Sequence, residues 1–166
     1  PMIKSSNDQS SIVIRELVAS DIESCVQLFY DTVHSVNAKD YTTEQVDAWA
    51  PATTNATDPG CQTILNHIAY VAEINKMFVG FGDMTKQGYL DRLYVHHNYQ
   101  RQGVASAIVN KLIDDAYKLG LAEITTHSSI TAKPFFESFG FIVCQQQEVD
   151  LSGVKLVNFI MKKTLQ

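Results

Sequence analysis

The chain has 166 residues, enough for one hydrophobic core, and its 45% apolar and 19% charged content is that of an ordinary globular protein. A formal charge of −5 argues against a general nucleic-acid binder and mildly favours a cationic partner, and no apolar run approaches the length of a membrane span. No signal-peptide pattern opens the sequence, and Cys25, Cys61 and Cys144 lack metal or redox spacing, so free thiols in a reducing cytoplasm are the simplest reading.

In chain order, residues 1–10 close with the polar run Ser5 to Ser10 and read as a loose, disordered leader to a single domain over 11–166. Ser11 to Glu16 alternates as a first strand. Ser20-x-x-Glu23 has the form of a capping box, and Ile22, Val26, Phe29 and Val33 give the following helix an apolar face. Thr42-x-x-Gln45 is a second box, opening a short helix that must end before Pro51. Asp58-Pro59 supplies cap and first position for a third helical stretch to about Asn66. His67 to Ile74 and Met77 to Met84 read as strands joined by a tight turn at Asn75-Lys76, and Tyr89 to Val95 as another. Ala105, Ile108, Val109, Leu112, Ile113 and Ala116 recur at helical spacing, with Lys118 and Gly120 as stop signals. Glu123 to His127 reads as a strand and Lys133 to Phe139 as a helix stopped by Gly140. Two last strands, Phe141 to Val149 and Val154 to Lys162, turn at Ser152-Gly153.

The most informative segment is Gln100-Arg101-Gln102-Gly103-Val104-Ala105, between a strand and a helix. A strand that turns sharply into a helix leaves backbone N–H groups without partners at the helix N-terminus, and these suit a phosphate or pyrophosphate. Gly103 permits close approach and Arg101 adds a charge that pairs with phosphate. The segment is neither a Walker loop nor the three-glycine dinucleotide fingerprint, and alone it is equally compatible with an ordinary strand-to-helix turn.

Gln100-x-x-Gly103-x-Ala105 resembles the acyl-CoA motif of the GNAT superfamily of N-acetyltransferases. The block Ala132-Lys133-Pro134-Phe135-Phe136-Glu137-Ser138-Phe139-Gly140-Phe141 resembles the family's later helix and its exit into a strand, and Ile14 to Asp21 its opening. Tyr41 to Gln45 and Trp49-Ala50-Pro51 are similar to the bacterial YafP-like branch. The resemblance implies an α/β GNAT fold: a mixed, largely antiparallel sheet of about seven strands flanked by helices, with a splayed central strand pair for acyl-CoA. It implies an acetyl-CoA-dependent transfer to a primary amine of a small molecule or peptide, by direct attack in a ternary complex. It further implies no nucleic-acid or membrane partner and a monomer or homodimer.

By that resemblance the cofactor is held by Leu93, Tyr94 and Val95 on the strand, by Arg101, Gln102, Gly103, Val104, Ala105 and Ser106 at the turn, and by Ser129 and Phe136 beyond. Two positions depart from the family's pattern. Phe136 stands where its general-acid tyrosine is usual, and Ser129 where many members carry asparagine. A phenyl ring donates no proton, which keeps open an acyl-CoA-binding module with little or no catalysis as the alternative. The Ser129 hydroxyl, counted with Asp91 among the catalytic candidates, can bond the cofactor through a water, and its neighbours Ser128 and His127 are candidates to reach the departing thiolate. For the acceptor, Asp91 is a mid-strand carboxylate that strict alternation places on one face with Tyr89, Leu93 and Val95, and Asp83 and Glu73 are its rivals. His34, Tyr41, Trp49 and Asp83 are candidates for the acceptor pocket. Adjacent histidines usually point apart and no partner lies at metal spacing, so His96-His97 is not read as a metal site.

Overall fold

The computed structural model describes residues 11–166, and the leader expected over 1–10 lies outside the described residues. One sheet runs through the molecule, built from β1 (Ile12–Glu16), β2 (Ile68–Ile74), β3 (Met77–Met84), β4 (Tyr89–Val95), β5 (Glu123–Ser129), β6 (Ile142–Leu151) and β7 (Val154–Thr164). Its spatial order is β1-β2-β3-β4-β5-β7-β6, antiparallel throughout except between β4 and β5. The helices are α1 (Ile22–Ser35), α2 (Thr43–Trp49), α3 (Pro59–Gln62), α4 (Val104–Lys118) and α5 (Lys133–Ser138). This is the mixed α/β sheet that the sequence led us to expect, with β5 reaching two residues past His127 because Ser129 still pairs with Asn158 of β7.

Local chemistry explains most of these elements. Asn75 and Lys76 both have positive φ, 50° and 65°, the backbone that a two-residue turn between twisted antiparallel strands requires. Thr42 and Gln45 form the expected capping box, each side chain bonded to the other's backbone N–H. The start of α1 differs. No side-chain bond of Ser20 caps it; the Asp21 carboxylate accepts from the Val18 N–H and, through both oxygens, from the Arg15 guanidinium. A charge-assisted bidentate pair outcompetes a neutral hydroxyl. Arg15 also bonds Glu73, and the hydrogen bonds from its guanidinium hold the Asp21 carboxyl below the usual carboxylate range.

The sheet divides the core in two. On one face α4 contributes Val104, Ile108, Val109, Leu112 and Ala116, packed with Val79, Leu90, Val95 and Phe136. On the other, Ile22, Cys25 and Leu28 of α1 meet Phe81 and Ile64, while Val33, Tyr41 and Val46 pack with Leu156. Burial pushes the Cys25 thiol up to about 12, so it is an inert core residue. Among the described residues no helix is long and apolar enough to cross a membrane.

The β4–α4–β5 unit is a parallel crossover, yet only two residue pairs join its strands, Tyr89 with Thr125 and Leu90 with Thr126. Just beyond, Arg92 stands opposite Asp83 and Leu90 opposite Met84, which makes Asp91 the extra residue of a β-bulge. The bulge overturns the strict alternation expected for β4. Leu90, Leu93 and Val95 pack in the α4 core, whereas Tyr94 belongs to the opposite core and Asp91 and Arg92 lie beside each other.

β3 brings α4 close because it presents glycine at two positions of that face. A Cβ at Gly82 would lie 2.9 Å from Ile108 Cγ2 and 3.0 Å from the Arg92 carbonyl, both too near to accept it. Gly82→Ala should therefore destabilise the fold by roughly 1–3 kcal/mol, overpacking outweighing the gain in strand propensity. Urea denaturation measures it, and an unchanged midpoint would mean that α4 yields at this contact.

Candidate active site

A cleft of about 600 Å³ opens where β4 and β5 part. It runs from Arg101, Gly103, Val104, Ala105 and Ser106 to Asp91, Trp49 and Ser129. At the first end, Gly103 takes φ 84° and caps α4, and Arg101 also has positive φ, 60°. This backbone turns the chain abruptly into the helix. The amides of residues 101–106 meet no protein acceptor among the described residues. A long helix with free amides at its first turn is an anion site by construction. A Cβ on Gly103 would meet only Ile12 Cδ1, at 3.9 Å, so the glycine serves the turn and the open face. Gln102 donates from its side chain to the Asn98 carbonyl, bracing the loop from behind.

In the middle of the cleft the backbone is the working surface. The His96 N–H bonds the Val79 carbonyl on β3, so by alternation Leu93 and Val95 present their backbone groups to the edge that β5 has left. The Val95 carbonyl is taken by Gln100 Nε2 at 2.6 Å and Thr32 Oγ1 at 3.3 Å. The Leu90 carbonyl, at the point of parting, accepts from Thr126 Oγ1 at 2.9 Å, which ends the ladder with a side-chain bond. Tyr94 lines the cleft between Leu93 and Val95, and its ring is packed on the other face of the sheet. That ring packs on Phe29 and Phe81, burial pushes its hydroxyl up, and the Trp49 indole opposes the shift.

The far end is closed by bonds between the α1–α2 connection and the loop after β5. Asn37 Nδ2 donates to Ser129 Oγ at 3.4 Å, and Thr131 Oγ1 to Asp40 Oδ2 at 2.8 Å. Tyr41 donates to the Val157 carbonyl and accepts from the Ile130 N–H. Ser129 Oγ also accepts from the Ala132 N–H at 3.0 Å. With two donors aimed at its oxygen, the Ser129 hydroxyl keeps its own hydrogen for a third partner. Ser128 is committed to the Ser129 carbonyl, while His127 lines the cleft and meets Tyr89 edge-on.

Of the acceptor-pocket candidates the structure brings Trp49 to the cleft and leaves three outside its lining. His34 stacks on Tyr30 and bonds the Ala50 carbonyl, tying α1 to the end of α2. Tyr41 is the buried brace just described. Asp83 is fully buried, paired with Arg92 at 2.6 Å and His67 at 2.7 Å. Burial pushes its carboxyl up, with the Arg92 charge pulling it back. Glu73 is engaged by Arg15. Asp91, exposed on the cleft wall, is the carboxylate left in position. His96 and His97 also differ from expectation: their rings stack at 4.3 Å, and His96 Nδ1 accepts from the Asn98 N–H.

Sequence reasoning missed Thr32, Asn37, Asp40, Thr126 and Thr131. Each acts on a partner distant in sequence, such as Thr32 on Val95 or Asn37 on Ser129, and no local spacing announces that. Gln100 was singled out as a motif position, and its bond to Val95 shows what a glutamine does there.

Residues 37–165 match the model of the acetyltransferase (GNAT) domain family. Over 153 residues the chain is 33% identical to the uncharacterized N-acetyltransferase YafP of Escherichia coli strain K12, covering 92% of this chain and 96% of that protein. It is similar to the crystal structure of a GCN5-related N-acetyltransferase from Rhodopseudomonas palustris, with TM-score 0.88 and 26% identity over 94% of this chain and 97% of that one. It also shares its fold with the PaiA N-acetyltransferase from Thermoplasma acidophilum in complex with coenzyme A, at TM-score 0.74 and 19% identity, covering 93% and 99%. The chain belongs to the GNAT superfamily and is an N-acetyltransferase whose cosubstrate is acetyl-CoA.

Phe136 is 3% exposed and packs edge-on against Phe135 and Phe141 at the cleft floor. Phe136→Tyr should leave coenzyme affinity within a few fold by calorimetry and cost roughly 1–3 kcal/mol if the new hydroxyl finds no partner. A large loss of turnover at unchanged stability would show that the bare ring shapes the pocket.

Proposed function

We propose, with that membership as the premise, that this protein acetylates the amine of a small molecule or peptide by direct attack within a ternary complex. One observation carries the reading. A single cleft joins the amide-rich start of α4 to the bulged Asp91 through a stretch where two strands have parted. The activity resides in residues 11–166 as one unit, since the cleft draws on elements from α1 to α5.

The residues present fit acetyl-CoA. Amides of Arg101 to Ser106 suit its pyrophosphate, and Arg101 adds a charge. Backbone groups of Leu93 and Val95 suit the amides of its pantetheine arm, replacing the pairing that β5 withdraws. The cosubstrate supplies an activated acetyl thioester. The protein must hold an amine beside it and make that amine nucleophilic. Asp91 is placed to bind the incoming ammonium and pass its proton to solvent. Ser129, with its free hydrogen, is placed to stabilise the departing thiolate. That role compensates in part for Phe136, because hydrogen bonds donated to the Ser129 oxygen make its hydroxyl a stronger donor.

Gly103→Glu should abolish binding of CoA, lowering affinity by at least about a hundredfold, because the anion stands at the phosphate site and the positive φ is strained. Gly103→Asn, which tolerates that φ, should retain far more. Calorimetry with CoA on the folded variants decides it, and unchanged affinity in Gly103→Glu would remove this loop from the site.

Asp91→Asn should lower turnover about 10²-fold, with acetyl-CoA affinity nearly unchanged. The deficit should shrink as pH rises, since more of the amine is then already neutral. Thiol release from acetyl-CoA across a panel of primary amines measures it. Near-normal turnover of Asp91→Asn at neutral pH would transfer proton removal to solvent.

A further inference from the structure

Three polar groups around the β4 bulge take no part in the chemistry above: His67, Asp83 and Arg92. Asp83 is fully buried, and its Oδ2 receives Arg92 Nη1 at 2.6 Å and His67 Nδ1 at 2.7 Å, while its Oδ1 is buried without a partner. A carboxylate only accepts, so His67 Nδ1 carries the hydrogen. The other arm of the guanidinium, Nη2, donates to the Gly60 carbonyl at 2.7 Å and to Thr63 Oγ1 at 2.8 Å. His67, Asp83 and Asp91 each bring a ligand-type atom within 4.8 Å of the others, and the cation that this cluster holds is Arg92 itself.

A buried ion pair contributes little to stability on balance, so its consequence lies in what it positions. Arg92 Nη1 stands 3.8 Å from Asp91 Oδ2. An unrestrained arginine beside a carboxylate closes on it as a bidentate pair and occupies its oxygens. Here both arms of the fork are held, one by Asp83 and one by the α3 segment. The guanidinium is therefore near enough to attract the carboxylate and too far to hydrogen-bond it. The bulge makes this possible, because regular alternation would put Asp91 and Arg92 on opposite faces.

We infer that Arg92, locked by Asp83, is a positioning residue for Asp91, restraining that carboxylate at the cleft wall while leaving its oxygens free to receive the acceptor's ammonium. The inference rests on the role of Asp91 proposed above. It assigns Asp83 a part in the site without contact with either substrate. Asp83 and His67 lie near Asp91 across the bulge and Tyr89 on its own strand, while His127, Lys39 and Asp40 line the same cleft. Among the described residues only Arg92 combines a permanent positive charge with this distance.

The test is kinetic, by thiol release from acetyl-CoA with the panel amine that turns over fastest. Arg92→Gln should lower kcat/KM for the amine roughly tenfold and leave KM for acetyl-CoA unchanged. Because Arg92→Gln strands the Asp83 charge, the double variant Asp83→Asn/Arg92→Gln removes both buried charges and should show the same loss if the single variant fails to fold. In an Asp91→Asn background the loss of Arg92 should cost nothing further, whereas an equal cost in both backgrounds would reduce Arg92 to a structural brace. An unchanged kcat/KM for the amine in the folded Arg92 variant overturns the inference. If Asp91→Asn itself turns over normally, it is the role proposed for Asp91 that fails.

Discussion

Beyond Leu90 and Thr126 the two parallel strands at the centre of the sheet stop sharing hydrogen bonds, yet each remains paired on its outer side. β4 continues along β3 as far as Val95, and β5 along β7 as far as Ser129. Neither strand is free to collapse toward the other, because that would break a longer antiparallel ladder to repair a short parallel one. The inner edges therefore face a cleft in the middle of a sheet, where unpaired backbone groups are costly. A ligand whose own chain carries amides at strand-like spacing relieves that cost. In the reading proposed here the cleft selects its cosubstrate by main-chain complementarity, and side chains enter mainly to keep the strands apart.

The remaining features either hold that parting open or equip its ends. Thr126 ends the shared ladder by bonding the Leu90 carbonyl, and Thr32 and Gln100 anchor the far end of β4 through the Val95 carbonyl. Glycines at 80 and 82 let α4 lie close on β3, which sets the start of the helix against the mouth of the cleft. At the opposite end Tyr41, Asn37 and Asp40 bind the α1–α2 connection to the loop after β5. The acceptor end is in this way built from segments remote in sequence, and its shape can change without disturbing the phosphate end.

In the proposed mechanism the phenylalanine at position 136 changes how the chemistry is distributed without removing it. An aromatic ring at the cleft floor keeps the packing that a tyrosine would give and withholds the proton. The nearest compensation is electrostatic. Ser129 presents a hydrogen polarised by two incoming donors, and Asp91 presents a carboxylate exposed by a bulge. In the mechanism proposed here, departure of the thiolate depends on stabilising charge more than on a single strong acid.

Much of this was legible in the chain. Hydrophobic periodicity delivered the helices and strands, and Gly103 before an apolar helical repeat marked the sharp turn into α4, because a turn of positive φ followed by free amides is a local event. The Thr42–Gln45 box and the Asn75-Lys76 turn were local in the same sense. What failed was whatever alternation or charge alone had to decide. A single extra residue in β4 reversed the face of Asp91 relative to Leu93 and Val95, and periodicity has no term for a bulge that forms only against β3. Asp83, His34 and Tyr41 read as pocket residues from their chemistry, but each found a partner across the fold and was consumed by it. Sequence by itself determined the elements and the anion-binding turn, since both depend on neighbours within a few residues. Tertiary structure alone decided which polar groups stay free to act, because that depends on which others arrive first from distant strands.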